Sequence, residues 1–279
     1  MDKEQVRKLI KEGFSHRQIQ KETGLALATI SKIRNERPDC FKAVVFNDSH
    51  IPYEDVKVLE LILDFTCREK PDMIAILGDF VDFYSISRFA TEPDRANSLQ
   101  EELDRAVMYL SMLRSHNPKA EIVYVQGNHE KRLTKYMWTT GRELSCLRSL
   151  KLPELLQLDK LNIRYEENGF WLGNLFLTHG SIVRKHASYT AKGELDKNGC
   201  NGISGHTHRD GKHTVRNRNG SFVWYENYCT CELDPEYIDG IANWSQGFSV
   251  VTTIGDDFYV EQVHVKKSGK YIYGGKVYK

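Results

Sequence analysis

Five apolar runs in this chain each end in side chains able to hold a metal ion. Ala43-Val44-Val45-Phe46 leads to Asp48 and His50, and Ile74-Ala75-Ile76-Leu77 leads through Gly78 to Asp79 and Asp82. Ile122-Val123-Tyr124-Val125 leads to Asn128, His129 and Glu130, Leu175-Phe176-Leu177 to His179, and Gly202-Ile203-Ser204 to His206 and His208. Aspartate, asparagine and neutral histidine offer the oxygen and nitrogen donors that divalent ions take. A short β-branched run suits a buried strand, and ligands of α/β sheets gather outside the carboxyl ends of the strands. Five such ends aim their donors at one place. So many imidazoles and carboxylates at strand ends each need a partner if buried, and an ion supplies it.

The elements that position these groups follow from periodicity. A strand over 41–46 precedes a helix over 54–70 whose apolar side carries Val58, Leu59, Ile62, Leu63 and Phe65. A strand before Asp79, a helix over 99–116 with Leu103, Val107, Leu110 and Leu113 on one face, and a strand before Asn128 come next. That alternation implies a partly parallel sheet with right-handed crossovers. Residues 143–158 read as helical with a break at Pro153, 162–166, 170–172 and 175–178 as short strands, and 187–195 as a helix. The rest is strand and turn over 222–225, 248–254, 258–265 and 271–278, with Asn219-Gly220 and Ser268-Gly269 as hairpin signals. The pattern predicts an α/β fold in which two sheets pack face to face with helices outside, the first mixed and the later one mostly antiparallel.

Residues 1–38 read as a separate all-α module and 39–279 as the main domain, with Pro38-Asp39 as linker. Val6, Leu9 and Ile10 lie at helical spacing, Gly13 ends that helix, and Ser15 can cap the next. Ile19, Gly24-Leu25, Ile30 and Ile33 then resemble the helix-turn-helix of resolvase-type and phage regulatory proteins. Nine basic side chains against five acidic ones over 1–37 favour a phosphate backbone. Thr29, Ser31, Lys32 and Arg34 are the side chains available for DNA contact. Gln20 stands where the motif has a small residue, and Ala26-Leu27-Ala28 where base-reading polar groups usually begin. A helical cap or an oligomerisation module is therefore the competing reading.

The whole 279-residue chain carries a net charge of +1, so nucleic acid must be met by a local patch. No apolar run approaches the ~20 residues needed to cross a bilayer, and the N-terminus has no signal-peptide core, which leads us to expect a cytoplasmic protein. Cys229-Thr230-Cys231 is the only close-spaced pair among six cysteines, which read as reduced structural thiols. Oligomeric state is left open, a dimer included.

In the order Asp48-x-His50, Gly78-Asp79-x-x-Asp82, Gly127-Asn128-His129-Glu130, His179 and Gly205-His206-x-His208, the blocks resemble the calcineurin-like metallophosphoesterase superfamily over roughly residues 43–208. The resemblance implies an α/β/β/α sandwich of two mixed sheets, two divalent ions (manganese first, then iron, zinc or nickel), and hydrolysis of phosphoric esters. Carried over by position, it puts Asp48, His50 and His208 on one ion and Asn128, His179 and His206 on the other, with Asp79 bridging. His206 and His208 are expected to alternate from an extended segment, one to each ion. The implied reaction is attack of a metal-bridged hydroxide on phosphorus, with His129 assisting the leaving group. Asp82 and Glu130 are expected to orient a ligand histidine or His129, and Arg132 either to contact phosphate or to lie solvated.

Protein Ser/Thr phosphatases of this superfamily carry an arginine directly after the second aspartate of the second block, where this chain has Phe83 and Tyr84. The closing Gly205-His206-Thr207-His208 is typical of the phosphodiesterase and nuclease branches, among which the blocks resemble small phage-type enzymes. The expectation is a phosphodiesterase acting on nucleic acid, delivered by the N-terminal module, with Arg209, Lys212, Arg216 and Arg218 extending the basic surface. A small-molecule phosphatase or cyclic-nucleotide phosphodiesterase is the alternative within enzymes. A DNA-binding regulator or scaffold with a vestigial metal site is the alternative outside them, and an intact His129 argues against it.

Overall fold

The computed structural model describes residues 6, 9, 14–27, 29–30, 40–87, 98–235 and 240–279. The chain divides into two compact units, Met1–Cys40 and Phe41–Lys279. In the first, helix α1 (His16–Thr23) opens with a capping box: Ser15 Oγ accepts from the Gln18 N–H, and the Gln18 side chain accepts from the Ser15 N–H at 2.8 Å. Gly24, at φ +69°, closes it with its N–H on Gln20 O. Val6, Ile19 and Ile30 are buried together, with Leu9, Phe14 and Leu25 against them. Gly13, Ile33 and the linker Pro38-Asp39 lie outside the described residues.

The second unit begins with strand β1 (Phe41–Phe46), helix α2 (Val56–Glu69), β2 (Met73–Ile76), helix α3 (Leu99–His116), β3 (Glu121–Val125), helix α4 (Glu130–Thr139), helix α5 (Leu152–Leu155) and β4 (Ile163–Glu166). It continues with β5 (Phe170–Leu172), β6 (Leu175–Thr178), helix α6 (Tyr189–Asn198), β7 (Gly202–Ser204), β8 (Gly211–Asn217) and β9 (Gly220–Glu226). Strands β10 (Gly247–Ile254) and β11 (Asp257–His264) and the hairpin β12 (Tyr271–Tyr273) and β13 (Lys276–Tyr278) complete it. The first sheet has the order β11-β10-β1-β2-β3-β4 and the second β5-β6-β7-β9-β8.

Strands β1, β2 and β3 read as continuous apolar runs because both of their faces are covered. Val44, Phe46, Ile74, Ile76, Ile122 and Tyr124 face α2 and α3, while Ala43, Val45, Ala75, Leu77, Val123 and Val125 meet Leu175, Leu177 and Ile203 of the second sheet. Ala191 and Leu195 of α6 cover Trp224 on the other side of that sheet. The fold is α/β, two mixed sheets flanked by helices. Each fully buried aliphatic side chain contributes roughly 1.5–3 kcal/mol. Among the described residues, no helix is long and apolar enough to cross a membrane.

Four expectations change. Strands β10 and β11 join the first sheet instead of ending an antiparallel second one, and β6–β7 and β7–β9 pair parallel. Residues 143–158 form the 3₁₀ turns Arg142–Leu144 and Arg148–Leu150 and the short α5, with Pro153 in its first turn, where a missing N–H is harmless. Gly274 and Gly275, both at positive φ, split 271–278 into a hairpin. Helix α4 was not anticipated, because Leu133 is its one fully buried apolar side chain and the periodic signal is weak.

Candidate metal centre

The five strand ends meet at one edge of the two sheets. There the backbone leaves the regions usual for L-residues: φ is +53° at Asp48, +51° at His50, +48° at Asp79, +73° at His206 and +57° at His208. Such conformations at non-glycine residues cost of order 1–3 kcal/mol each and persist where surrounding structure over-determines them. Here the Asp48 N–H donates to Gly78 O (3.0 Å), the His50 N–H to Asp79 O (2.9 Å), and the Thr230 N–H to Asp48 O (3.1 Å). His206 and His208 therefore leave from left-handed turns beyond β7, which corrects the expected extended segment. Gly205 admits the crossing of the two loops, since a Cβ there would fall 2.6 Å from Asn47 Nδ2 and Asp48 Oδ2.

Four groups of donor atoms lie within 4.8 Å of one another among the described residues; His50, Asp82 and His129 form one and His208, Cys229 and Cys231 another, and the remaining two are sets of expected ligands. Asp48, His50 and His208 form the first: His50 Nε2 and His208 Nε2 face each other at 3.0 Å, with Asp48 Oδ1 at 3.7 and 3.4 Å from them. Asp79, His179 and His206 form the second. Asp79 Oδ2 lies 3.2 Å from His179 Nε2 and 3.9 Å from His50 Nε2, so one carboxylate oxygen looks toward both sets. Asn128 Oδ1 joins at 2.8 Å from His179 Nε2.

The arrangement fits divalent cations. Asp48 Oδ1 and His206 Nδ1 are buried without a hydrogen-bond partner, a costly condition that an ion relieves. His179 Nδ1–H donates to Leu77 O (2.8 Å), and His50 Nδ1 lies 3.0 Å from Asp82 Oδ2, which turns Nε2 of both rings inward.

Beside these donors stands His129, which opens α4. Its backbone N–H donates to Asp79 Oδ1 (2.8 Å), its Nδ1 is 3.0 Å from Asp82 Oδ2, and its Nε2 is 3.0 Å from Arg132 Nη2. A guanidinium can only donate, so Nε2 accepts and Nδ1 carries the hydrogen.

The sequence profile of the calcineurin-like phosphoesterases matches residues 41–227, a span that contains every one of these side chains. The chain belongs to the calcineurin-like phosphoesterase family. It is 26% identical to the gene 54 protein of Mycobacterium phage L5 over 253 residues, 85% of this chain and 98% of that protein. It is 27% identical to the gene 54 protein of Mycobacterium phage D29 over 251 residues, 84% and 95% of the two chains. Among solved structures, a dimetal phosphatase from Danio rerio matches 81% of this chain and 96% of its own at 12% identity, with a TM-score of 0.42.

In this phosphoesterase, Arg132 is no solvated surface group. It donates to Asp82 Oδ1 (2.9 Å) and Asp82 O (3.0 Å), so Asp82 ties His50, His129 and Arg132 together. Glu130 departs from the expected contact with a histidine. It is wholly buried and accepts from the N–H groups of Asp79 (3.0 Å), Phe80 (2.8 Å) and Gly127 (2.8 Å) and from Tyr124 Oη (2.6 Å). It braces the two loops that carry Asp79 and Asn128.

The electrostatics are those of a site built for positive charge. Burial would raise the carboxyls of Asp48 and Asp79, but His208 around the first and His179 and His129 around the second hold both below the usual carboxylate range. Asp82 is lowered against its burial by His129 and His50. Burial would lower His50 and His179. The carboxylates of Asp48 and Asp82 raise the first well above its ordinary value, and Asp79 raises the second to about 9. Burial prevails at His206 and His208, which are lowered. Protons and metal ions thus compete for the same nitrogens.

Several neighbours escaped sequence reasoning. Asn47 Nδ2 donates to Asp48 Oδ2, to Asn227 O (2.7 Å) and to Tyr228 O (2.9 Å). Glu226 accepts from Thr207 Oγ1 (2.8 Å) and the Ala191 N–H (3.1 Å), anchoring the turn between His206 and His208 to α6. The Trp244 ring centroid lies 4.2 Å from that of His208. Cys231 Sγ is 4.0 Å from His208 Nδ1, and burial and Cys229 push its thiol well up, so it stays protonated. Only the adjacency of Asn47 to Asp48 could have signalled any of them. Arg209, expected at a basic surface, is buried and donates to Lys185 O and Arg184 O. Of the DNA candidates, Thr29 is exposed, while Ser31, Lys32 and Arg34 lie outside the described residues.

Proposed function

We propose that this phosphoesterase is a two-metal phosphodiesterase acting on nucleic acid. The observation that carries this reading is a pair of cavities meeting over the donor atoms. One, of about 450 Å³, is lined by Tyr84, His129, Arg132, His208 and Trp244, and the other, of about 410 Å³, by Lys131, Lys197, Glu167 and Glu194 with Asn168 and Ser181. Asn128 and His206 line both. A phosphoryl group at the centre has room for a substituent on each side. A diester carries two and a monoester one, and Arg132 with the rings of Tyr84 and Trp244 in the first cavity suits a phosphate and a base.

Asp48, His50 and His208 would hold one ion and Asn128, His179 and His206 the other, with Asp79 shared and manganese the first choice before iron, zinc or nickel. Ions bound there neutralise phosphoryl oxygens and lower the pKa of water. His129 lines the first cavity; its Nε2, which accepts from Arg132 here, would take the proton given up by the attacking water and pass it to the departing oxygen once Arg132 turns to a phosphoryl oxygen. Arg132, held on Asp82, offers its guanidinium to a phosphoryl oxygen in that cavity. Residues 1–38 would bind the DNA on which the catalytic unit acts, and removal of residues 1–36 should weaken DNA binding while sparing hydrolysis of a small ester.

The test is Mn²⁺-dependent hydrolysis of bis(p-nitrophenyl) phosphate beside the p-nitrophenyl monoester, with wild type and Asp79→Asn. Diester preference that disappears in the variant supports the proposal. Monoester preference transfers the reading to a small-molecule phosphatase, and no metal-dependent turnover of either ester overturns it.

A further inference from the structure

The first cavity does not end at the donor atoms. It shares Ser87, Asn128 and Arg132 with a third cavity of about 620 Å³ beside α4. Lys135, Tyr136 and Thr139 continue the wall that Arg132 begins, and at 3.6 residues per turn positions 132, 135, 136 and 139 share one helix face. Glu130 and Leu133 are the buried side chains of the helix and lie off that face, which therefore looks outward. Residues 85–87 form the facing wall, and no carboxylate is among the described residues lining this cavity. Its charges are Arg132 and Lys135, and its aromatic side chain, Tyr136, is 39% exposed.

We infer that the groove along α4 seats the leaving-group side of a single-stranded polynucleotide. This rests on the phosphodiesterase reading and adds the path of the strand. His129 lines the cavity from which the groove departs, so the product released on that side lies toward α4. Lys135 then meets the next phosphate, and Tyr136 offers a π-face to a base. A base can stack there only when it is neither paired nor stacked in a duplex. The donor atoms are also sunken, with Asp79 1% and His50 2% exposed, so the strand must bend into the cleft.

The experiment compares kcat/KM for oligothymidylate and oligouridylate with that for bis(p-nitrophenyl) phosphate, in wild type, Lys135→Ala and Tyr136→Ala. The oligonucleotide-to-small-diester ratio should fall about tenfold in each variant. In Lys135→Ala, the log–log salt slope for the oligonucleotide should also lose about 0.7. A shift with both polymers supports the groove, and a shift with one supports it and names the sugar it accepts. Oligonucleotide cleavage with an unmoved ratio overturns the groove and leaves the phosphodiesterase standing. Hydrolysis of bis(p-nitrophenyl) phosphate without cleavage of either oligonucleotide, or faster cleavage of a duplex, does the same. Failure on every diester overturns both.

Discussion

The two sheets supply the centre with different chemistry. The first contributes oxygen donors, Asp48, Asp79 and Asn128, from the ends of three adjacent parallel strands, together with His50. The second contributes only imidazoles, His179, His206 and His208. Glu130 and a backbone lattice fix the first set, whereas the second is fixed partly by reaching across, with the His206 N–H donating to Asp48 Oδ2 at 2.8 Å. Buried negative charge on one side needs positive charge from the other. Neither sheet makes a stable site alone.

Asp79→Ala and His206→Ala strike that comparison hardest, one from each sheet. Both should lower kcat/KM by at least about 10³-fold, because several kcal/mol of charge stabilisation disappear. Metal analysis separates the sheets: Asp79→Ala should lose both ions, and retention of either at full occupancy would refute a shared carboxylate.

His129→Ala tests a group that stands beside the two expected ligand sets and outside both. Turnover of esters with alkoxide leaving groups should fall about 10²–10⁴-fold, and that of p-nitrophenyl esters, whose leaving group needs no proton, should fall less. Equal losses on both, at unchanged metal content, would remove the proton-donor role.

The raised histidines make the competition between protons and metal measurable. After chelator treatment, Mn²⁺ affinity should tighten as pH climbs from about 6.5 to about 9, while His179 sheds its proton. The gain should reach roughly tenfold per pH unit for each proton released. Stability runs the other way. Both imidazoles, His179 and His50, have folded pKa values above the ordinary 6.5, so their contribution is complete below 6.5, and that of His179 fades as pH rises through about 9. The melting temperature of the stripped protein should therefore fall over that window. Calorimetric titration giving a flat affinity would refute the assignment.

Glu130→Gln sharpens the bracing of the first sheet and should have the smallest effect. It weakens charge-assisted bonds to four backbone donors and to Tyr124, for a loss of about 1–3 kcal/mol. Each kcal/mol should lower Tm by roughly 2–4 °C in a domain of this size. Unchanged melting would mean that the loops are held by other contacts.

The donors were legible before the fold because each sits at the end of a local signal, a β-branched run that stops at a glycine or a polar pair. The capped α1 and the boundaries of α3 were legible for the same reason, since Ser15 and Ser98 each cap against a side chain three residues on. Helix α4 was not, because it buries so little, and β8 was not, because it is a largely exposed edge strand. With α4 unseen, Arg132, Lys135 and Tyr136 could not be recognised as one wall.

Sequence by itself determined which atoms are available for metal and phosphate and the order in which strands deliver them, because side-chain chemistry and strand propensity are local properties. Only the tertiary structure decided which donors share a set, what Glu130 braces, and where the cleft runs. Those outcomes depend on groups far apart in the chain: His50 meets His208 across 158 positions, and Glu130 meets the Asp79 backbone across 51. The left-handed turns at Asp48, Asp79 and His206 belong to the same class, since only contacts from elsewhere in the fold can hold a strained backbone in place.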